Sequence, residues 1–533
     1  MSDDGQKGTT ASKHVRRSRP LRAAVGIGVI FTLLCLSGLA AAATTKQEAK
    51  PTLTIGLPFA PVSLDPSKDG AGFLIVRALT NTAITHIKPD GSIGPGLATA
   101  WRYLGTGGRK KGPDAGRGPN KDFEFTLRRN ARFSDGTGVT AKAVKLWLEY
   151  FAKGNGAFAS LMGPIQSIDT VGKWKVRLHL SSPNPVLPRV LSELYNWGAV
   201  SSAKAVAEPS VLGTQTVGAG PYMLDPSETV TNDHYTLVPN PYYYDKSAIR
   251  FSKVVAKVIP TASSMLQAVQ TGQIDVGQGA SATADAAEAS GLKVVHAPNG
   301  YAGFILADRK GAASKPLADV RVRQALNYAV DRKAVTSAVV GKWGTPLAEM
   351  SSADGFVKKY ANHYPYNPAK AKSLLAAAGY PNGFTLEHLG LTSSYTQAIA
   401  KYLGDVGVRL KITISPNAND YVAKRRTLEY STLEQTYGRP DPMWILYSVL
   451  MHPKAALNPF GIDDPVMDKL WLNGQRAANP SVYWRQMSER ATKQAYFLPV
   501  IATQAIYFAQ TRIKGVVMSL ARPYPLASEW SSK

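Results

Sequence analysis

The residues best suited to catalysis or metal binding are few in this chain and lie far apart. The eight histidines form no pair at the spacing of a linear zinc motif, and the only cysteine is Cys35. The sequence contains no G-x-S-x-G, no H-E-x-x-H, no P-loop and no G-x-G-x-x-G after a predicted strand. These patterns favour a protein without a catalytic residue, cofactor or metal ion. A hydrolase whose site is dispersed through the sequence is the alternative.

Aromatic and small polar residues, by contrast, occur together in four short segments. Aromatic rings supply van der Waals contact in a ligand cleft, and amide or hydroxyl groups orient the ligand. The segments are Tyr195-Asn196-Trp197, Asn299-Gly300-Tyr301, Thr392-Ser393 and Tyr437-Gly438-Arg439-Pro440-Asp441-Pro442-Met443-Trp444. Core packing explains Trp197 and Tyr301 equally well, because tryptophan and tyrosine are often buried. An ordinary helix cap is an equal explanation for Thr392 and Ser393.

Local patterns predict elements that would hold these segments in place. Residues 51–56 form a short apolar run typical of a buried strand, and residues 123–127 alternate as in a half-buried strand. Thr140 fits the N-cap of one helix, and Asn367 fits the N-cap of another. Pro368 then takes the first helical position, where its missing N–H costs nothing. Each pattern indicates one local element and no function by itself.

The segment 319–332 is the most informative in the chain. Val320, Leu326, Ala329 and Val330 recur at helical spacing, which predicts an amphipathic helix with an apolar face beside a basic face. The segment resembles a helix motif of the extracytoplasmic solute-binding proteins of the peptide/nickel class, family 5. Proteins of that family are the capture subunits of ABC importers.

Five further segments resemble motifs of the same family and follow the family's order. They are residues 123–147, 217–222, 240–244, 265–276 and 364–380. The resemblance runs from about residue 51 to residue 520, which is nearly all of the chain after the export signal described below. It implies an α/β protein with the two-lobed periplasmic-binding-protein type II (cluster C) fold, an extra domain, and discontinuous domains joined by a hinge.

The resemblance also implies domain boundaries. They are 50–81, 212–300 and 503–533 for domain I and 82–211 for domain II, which together form the first lobe, and 301–502 for domain III, the second lobe. The segment 299–301 is the expected crossover between lobes, where glycine grants backbone freedom. Phe59 follows the first predicted strand, which in the family leads directly to the ligand cleft. The segment 195–197 lies near the same crevice in the family.

The segment 435–444 resembles a ligand-binding loop of the family. In peptide-binding members the first aspartate of that loop pairs with the α-ammonium group of the ligand. Aligning Asp441 and the proline after it with the family's Asp-Pro puts Gly438 at the position of that aspartate and Arg439 beside it. Arginine favours carboxylate or phosphate through bidentate hydrogen bonds. The loop therefore predicts an anionic, blocked or non-peptide ligand, with a plain surface arginine as the alternative.

The N-terminus has the layout of an export signal. A basic segment precedes the largely apolar run 23–43, and the small residues at 40–43 predict cleavage near Thr44. An uncleaved anchor and lipidation at Cys35 are alternatives, although Thr32 to Leu34 departs from the lipoprotein pattern. We therefore expect residues 1–43 to be a signal peptide and the protein to be periplasmic or extracytoplasmic. Contact with the membrane would be only through a permease or such an N-terminus.

The chain is strongly basic, with 62 Lys and Arg against 37 Asp and Glu, a formal net charge of +25. The charge is spread out, and its one dense cluster lies in the Gly- and Pro-rich segment 105–120, which predicts a solvated loop. We therefore expect no nucleic-acid partner.

The sequence as a whole predicts a monomeric solute-binding protein. It would capture a peptide, opine, sugar or chelate between two lobes and deliver it to the membrane subunits of an ABC permease. A basic binding module for an anionic partner is a further alternative.

Overall fold

The computed structural model describes residues 50–69, 73–105, 119–154, 158–350, 354–391, 394–416, 418–437, 443–455 and 457–533. The predicted signal peptide and residues 106–118 of the predicted basic loop lie outside these ranges. In the described part, no helix is both long enough and apolar enough to cross a membrane.

The strands, in chain order, are β1 Thr52–Leu57, β2 Thr85–Ile87, β3 Ile93–Pro95, β4 Ala98–Leu104, β5 Asp122–Leu127, β6 Ile165–Val171, β7 Lys175–Leu180, β8 Tyr222–Leu224, β9 His234–Pro239, β10 Lys253–Val258, β11 Val276–Gly279, β12 Lys293–Leu306, β13 Thr345–Pro346, β14 Phe384–Gly390, β15 Val408–Ile414, β16 Thr432–Tyr437, β17 Phe497–Ala509, β18 Ile513–Lys514 and β19 Ser531–Ser532.

The helices are α1 Leu74–Thr80, α2 Ala141–Ala152, α3 Leu187–Val190, α4 Ala203–Ala207, α5 Pro209–Thr214, α6 Ala262–Gln270, α7 Ser281–Ala289, α8 Val320–Ala329, α9 Arg332–Val340, α10 Pro368–Ala377, α11 Ser394–Gly404, α12 Ala418–Lys424, α13 Met443–Leu446, α14 Pro465–Arg476 and α15 Ser481–Lys493. A π-helix over Tyr447–Met451 continues α13.

One mixed sheet runs through both halves of the chain. Its strand order is β15-β14-β16-β12-β17-β11-β1-β10-β9-β8, and β13 pairs with β17. A second, four-stranded antiparallel sheet has the order β4-β5-β7-β6. We call the part around β1, β8–β11 and the four-stranded sheet the first lobe, and the part around β14–β16 with α8–α15 the second lobe. This two-lobed α/β arrangement confirms the predicted fold class.

The two lobes are joined by the long strands β12 and β17. These strands pair antiparallel from Lys293 opposite Ala509 to Ile305 opposite Phe497. The register shifts between Pro298 and Gly300, at the segment predicted as the crossover, and again between Ala302 and Gly303. The predicted domain boundaries stay a prediction.

Several predicted helix ends are confirmed by hydrogen bonds. The Thr140 hydroxyl accepts the N–H of Ala143 at 3.3 Å and caps α2. The Asn367 side chain accepts the N–H of Lys370 at 2.9 Å, and Pro368 is the first residue of α10. These contacts lie within one helical turn, which is why sequence spacing was enough to predict them.

The family-like segment 319–332 differs from its prediction in two respects. It contains the whole of α8 and the start of α9, because Val330 is extended (φ −101°, ψ 121°) and Asp331 caps α9 by accepting the N–H of Ala334. The expected basic face is also wrong in part. Arg321 is exposed, whereas Arg323 is 5% exposed and donates to the carbonyls of Leu317, Ala318 and Gln494.

Candidate functional site

The carboxyl ends of two groups of parallel strands point toward the crossover. In the first lobe β1 is parallel to β10 and β11, and in the second lobe β14 is parallel to β15 and β16. The last residue of β11, Gly279, pairs with Ile506, and the last residue of β16, Tyr437, pairs with Tyr301. Ligands of open α/β sheets bind outside the carboxyl ends of the strands. The crossover region is therefore the candidate site.

The first-lobe edge of this site is apolar and exposed. Phe59, two residues after β1, is 54% exposed, and Val62 is 88% exposed. Neighbouring exposed apolar side chains are typical of surfaces that contact a partner molecule. The location of Phe59 agrees with the predicted ligand contact, which stays a prediction.

The second-lobe edge contains a buried carboxylate that the sequence analysis missed. Glu434 lies on β16 and is 2% exposed. Its Oε2 accepts the N–H of Leu391 at 3.0 Å and the hydroxyl of Thr396 at 2.7 Å. It thus lies between the end of β14 and the start of α11. An acidic residue within an otherwise uncharged strand, four positions before Gly438, was the signal that could have identified it.

Two predicted aromatic residues are buried in the structure. Tyr301 is 2% exposed, and Trp444, at the start of α13, is 4% exposed. The indole N–H of Trp444 has no hydrogen-bond partner in the described part of the chain. The backbone of Tyr437 pairs with Tyr301, which brings the end of β16 to the crossover.

Several predicted site residues lie outside the described residues. They are Thr392, Ser393, Gly438, Arg439 and Asp441. The hypothesis that Arg439 orients an anionic ligand therefore stays a prediction. The described residues next to them are Leu391, which directly follows the end of β14, and Tyr437, the last residue of the parallel strand β16.

The segment 195–197 is buried, as its alternative interpretation of core packing predicts. Tyr195, Asn196 and Trp197 are each no more than 1% exposed, and Tyr195 and Trp197 belong to a buried apolar cluster with members in both lobes. The indole N–H of Trp197 donates to the carbonyl of Phe158 at 2.7 Å. Asn196, with a left-handed φ of 60°, accepts from the Arg77 guanidinium at 3.0 Å. Each of these side chains thus contacts protein in this structure, and a contact with the ligand stays a prediction.

A large groove of about 1120 Å³ lies on the first lobe, but it is not this site. It runs along β10 between α6 and β9, and every residue that lines it falls between 227 and 273. Its charged groups include the ion pair of Lys253 and Glu228. Since it draws nothing from the second lobe, closure of the lobes could not enclose a ligand there.

The described residues contain no group of three or more His, Cys, Asp or Glu side chains placed to hold a metal ion. His388 is fully buried on β14, and burial lowers its pKa to about 3. Its Nδ1 lies 3.0 Å from the Thr432 hydroxyl. A neutral imidazole held in this way packs in the core of the second lobe and serves no acid–base role there.

Two lobes joined by paired long strands, with parallel-strand edges facing a common crossover, define a two-lobed binding-protein fold. The described residues 92–455, apart from the gaps given above, fall within a match to the family "Bacterial extracellular solute-binding proteins, family 5 Middle". Because that match covers more than half of the chain, this protein belongs to the bacterial extracellular solute-binding proteins of family 5.

Individual relatives are distant. The chain is 25% identical over 311 residues to the glutathione-binding protein GsiB of Salmonella choleraesuis (strain SC-B67), an alignment that covers 55% of this chain and 57% of that protein. The chain thus spans little more than half of the length of this relative. It is 26% identical over 456 residues to the periplasmic murein peptide-binding protein MppA of Escherichia coli (strain K12), covering 77% of this chain and 79% of MppA.

A solved structure supports the fold. The binding protein AgaA from A. tumefacien R10, in complex with agropinic acid, matches with a TM-score of 0.72 and 23% identity. The match covers 90% of this chain and 99% of that chain. At this identity the likeness concerns the fold alone.

Proposed function

We propose that this protein captures a small solute between its two lobes and delivers it to the membrane subunits of an ABC importer. The main support for the proposal is the position of two groups of parallel strands. The carboxyl ends of both groups lie at the region where β12 and β17 pass from one lobe to the other. Family membership supports the transport role, and the relatives above are named for binding glutathione and murein peptide. The role is non-catalytic, and the protein works outside the cytoplasm after export through its N-terminal signal.

The two lobes close as domains that bend at the crossover. The register shift between Pro298 and Gly300 places an irregularity where both connecting strands pass from one lobe to the other. A ligand that contacts both edges binds the closed form more tightly and so shifts the equilibrium toward closure. The domain ranges 50–81, 212–300 and 503–533, then 82–211, then 301–502, follow this division.

The lobes also touch directly, away from the crossover. The side-chain amide of Asn120, in the first lobe, donates to the carbonyls of Gln475 at 2.8 Å and Ala477 at 3.1 Å, at the end of α14 in the second lobe. The last carbonyls of a helix lack partners within the helix, so this contact satisfies them. We call Asn120 and the end of α14 the clasp. It supports the proposal because it is a direct hydrogen-bonded contact between the two lobes.

Thermal unfolding of the purified protein against a compound library tests the proposal. The library contains di- to pentapeptides, their N-acetylated forms, anionic peptides, opines, sugars and nickel chelates. A compound that binds only the native state raises the melting temperature by mass action. For each stabilising compound, small-angle scattering measures whether the radius of gyration falls on binding. No stabilising compound in any class, or binding of a compound without closure, would overturn the proposal.

A further inference from the structure

One edge of the connecting strand β17 is shared by the two lobes. Strand β13, which lies between α9 and α10 of the second lobe in the chain, pairs with Ile501 and Ala502. Strand β11 of the first lobe pairs with residues 506–509 on the same edge, because β12 occupies the other edge. In the part of the chain that the structure describes, no strand pairs with residues 503–505 on the shared edge. The two lobes therefore meet along β17 at these three residues.

Trp343 extends from the second lobe into the first beside this meeting point. It lies three residues after the end of α9 and two residues before β13, and it is 6% exposed. The ring belongs to a buried apolar cluster that also includes Leu266, Ala287 and Phe508. All other members of that cluster lie in α6, in α7, next to β11 or at the first-lobe end of β17. The burial of this large ring therefore depends on the position of one lobe relative to the other.

Polar contacts orient the ring on α7. The indole N–H of Trp343 donates to the Asp285 carboxylate at 3.1 Å. The Lys342 Nζ lies 3.0 Å from the Asp285 carboxylate and 2.6 Å from the Glu288 carboxylate. Because these three charged side chains are more than half exposed, their ion pairs contribute little to stability. Most of the interaction therefore comes from the buried indole. We call Trp343, Lys342 and Asp285 the hinge contact.

A packed contact at this place responds sharply to bending of the connecting strands. The turn that carries Trp343 belongs to the second lobe and α7 to the first, so rotation of the lobes moves the indole relative to α7. Close-packed side chains do not deform gradually, because small gaps or overlaps already cost free energy. The hinge contact therefore favours the arrangement seen here, in which the clasp also forms.

We infer that Trp343 is a positioning residue that sets the equilibrium between the open and closed forms of the protein. The inference rests on the proposed function and names how its site is controlled. Two separate contacts join the lobes in the present arrangement, so loosening one of them lets the lobes separate. Affinity scales with the fraction of the protein in the binding arrangement. The hinge contact therefore raises the affinity for every solute by the same factor, without touching the solute.

Spin labels on opposite lobes measure this equilibrium in the ligand-free protein. Thr170 on β6 and Thr385 on β14 are both exposed. Thr170→Cys and Thr385→Cys accept the labels in a Cys35→Ser background, which removes the only other cysteine. Double electron–electron resonance then gives the distribution of distances between the two labels. Trp343→Leu should shift this distribution toward longer distances.

Trp530→Leu is the matched control for loss of a buried tryptophan. Trp530 is fully buried in a cluster confined to the first lobe and the first-lobe end of β17. Its replacement should lower stability in urea and leave the distance distribution unchanged. An unchanged or shorter distance in Trp343→Leu, or an equal shift in both variants, would overturn the inference.

Affinity supplies a second readout that a merely structural role would not produce. Every library compound that stabilises the wild type is titrated against Trp343→Leu by calorimetry. Affinity should fall by about two- to thirtyfold, and by a factor common to all compounds. Factors that differ between compounds would overturn the inference, because they would show that the ring contacts the solute itself.

Asp285→Ala tests the hinge contact from its exposed side if Trp343→Leu does not fold. It removes the acceptor of the indole N–H and one partner of Lys342, so it should act in the same direction as Trp343→Leu but less strongly. The control is Asp405→Ala, which breaks an exposed ion pair with Lys401 inside the second lobe and should change neither distance nor affinity. Equal results for the two aspartate variants would contradict the role of the hinge contact.

The inference and the proposed function fail in different ways. The distance measurement needs no solute, so it tests the hinge contact before any ligand is known. Solute binding and closure by the wild type, together with unchanged distances in Trp343→Leu, would retain the proposed function and overturn the inference alone. No binding in any class of compound would overturn the proposed function and, with it, the effect on affinity that the inference claims.

Discussion

In the first lobe a buried arginine forms an ion pair with a buried aspartate, whereas in the second lobe buried arginines donate hydrogen bonds to backbone carbonyls. Arg77 and Asp69 form an ion pair at 2.8 Å, and both side chains are less than 6% exposed. Arg332 is 6% exposed and donates to the carbonyls of Leu347, Pro499, Asn327 and Tyr364. Burial lowers the pKa of Arg332 to about 10, so the guanidinium stays charged at neutral pH.

The difference shows what each charge depends on. An ion pair depends on two side chains and can be replaced as a unit, often at little cost. A guanidinium surrounded by carbonyls is held by backbone groups of several chain segments. Because a substitution changes a side chain and leaves the backbone carbonyl in place, no single second substitution compensates for loss of the arginine. In the second lobe, buried arginines therefore fix how the segments near the crossover pack, and Arg332 bonds to Pro499 of the connecting strand β17.

The largest expected loss of stability comes from replacing the buried arginines of the two lobes. Arg332→Met should lower the free energy of unfolding by about 5 kcal/mol, because several buried carbonyls lose their donor. Arg77→Met should cost about 3–5 kcal/mol, because it leaves Asp69 buried without a counter-charge. Adding Asp69→Asn to Arg77→Met should recover a large part of that loss. Urea unfolding measures all three.

Asp331→Asn in the Arg332→Met background is the matched control, since Asp331 is the acid next to Arg332 in sequence but caps a helix instead. No recovery is expected from it. Recovery there, or none in the first-lobe double variant, would contradict the distinction between the lobes.

Glu349 should make the second lobe sensitive to pH. It is fully buried and accepts from the Ser488 hydroxyl and the Val357 N–H, and burial raises its pKa from 4.5 to about 7. Between these two values the folded chain holds a proton that the unfolded chain releases, so stability falls as pH rises and levels off above about 7. The fall amounts to about 3 kcal/mol.

Glu349→Gln should remove this fall and leave the variant more stable than the wild type at pH 8. Urea unfolding at a series of pH values from 4 to 8 measures it. A parallel pH profile in the two proteins would contradict the role assigned to Glu349.

A smaller effect is expected from the clasp that joins the two lobes. Asn120→Gly removes both interlobe hydrogen bonds, each worth about 1 kcal/mol, and glycine tolerates the φ of 55° at this position. The ligand-free protein should open, which small-angle scattering detects as a larger radius of gyration. Asn232→Gly is the control, because Asn232 also has a left-handed φ, of 68°, but is exposed and far from α14 in sequence. An equal change in the radius of gyration of both variants would show that the clasp does not hold the lobes together.

The smallest effect on stability is expected at Phe59. Because 54% of its surface is exposed, Phe59→Ala should change the free energy of unfolding by less than about 0.5 kcal/mol. If Phe59 contacts the ligand as predicted, affinity for any compound that stabilises the wild type should fall. Exposed Phe356 in the second lobe, 36% exposed, gives the matched variant Phe356→Ala, which should leave affinity unchanged.

Much of the fold was predictable because its signals are local or belong to the family as a whole. The caps at Thr140 and Asn367 depend on hydrogen bonds three residues away in sequence. The segment near Gly300, predicted as the crossover, lies within the paired strands β12 and β17, and its role as the boundary between domains stays a prediction. The two-lobed arrangement followed from six motifs in one order, since a family's fold changes less than its side chains.

The candidate site was less predictable. Trp197 was as consistent with the core as with a cleft, and the structure places it in the core. Glu434 was missed because its partners Leu391 and Thr396 lie about 40 residues earlier in the chain, on a neighbouring strand and helix. The hydrophobic periodicity of one helix or strand does not predict a contact between side chains of two different elements.

By itself the sequence determined the class of the protein, its helix caps and the absence of short catalytic motifs. Only the tertiary structure decided which charges are paired and which buried arginines donate to backbone carbonyls. The physical reason is that hydrophobic period and capping act within one element, whereas burial and the pairing of charges depend on segments that meet only when the strands assemble.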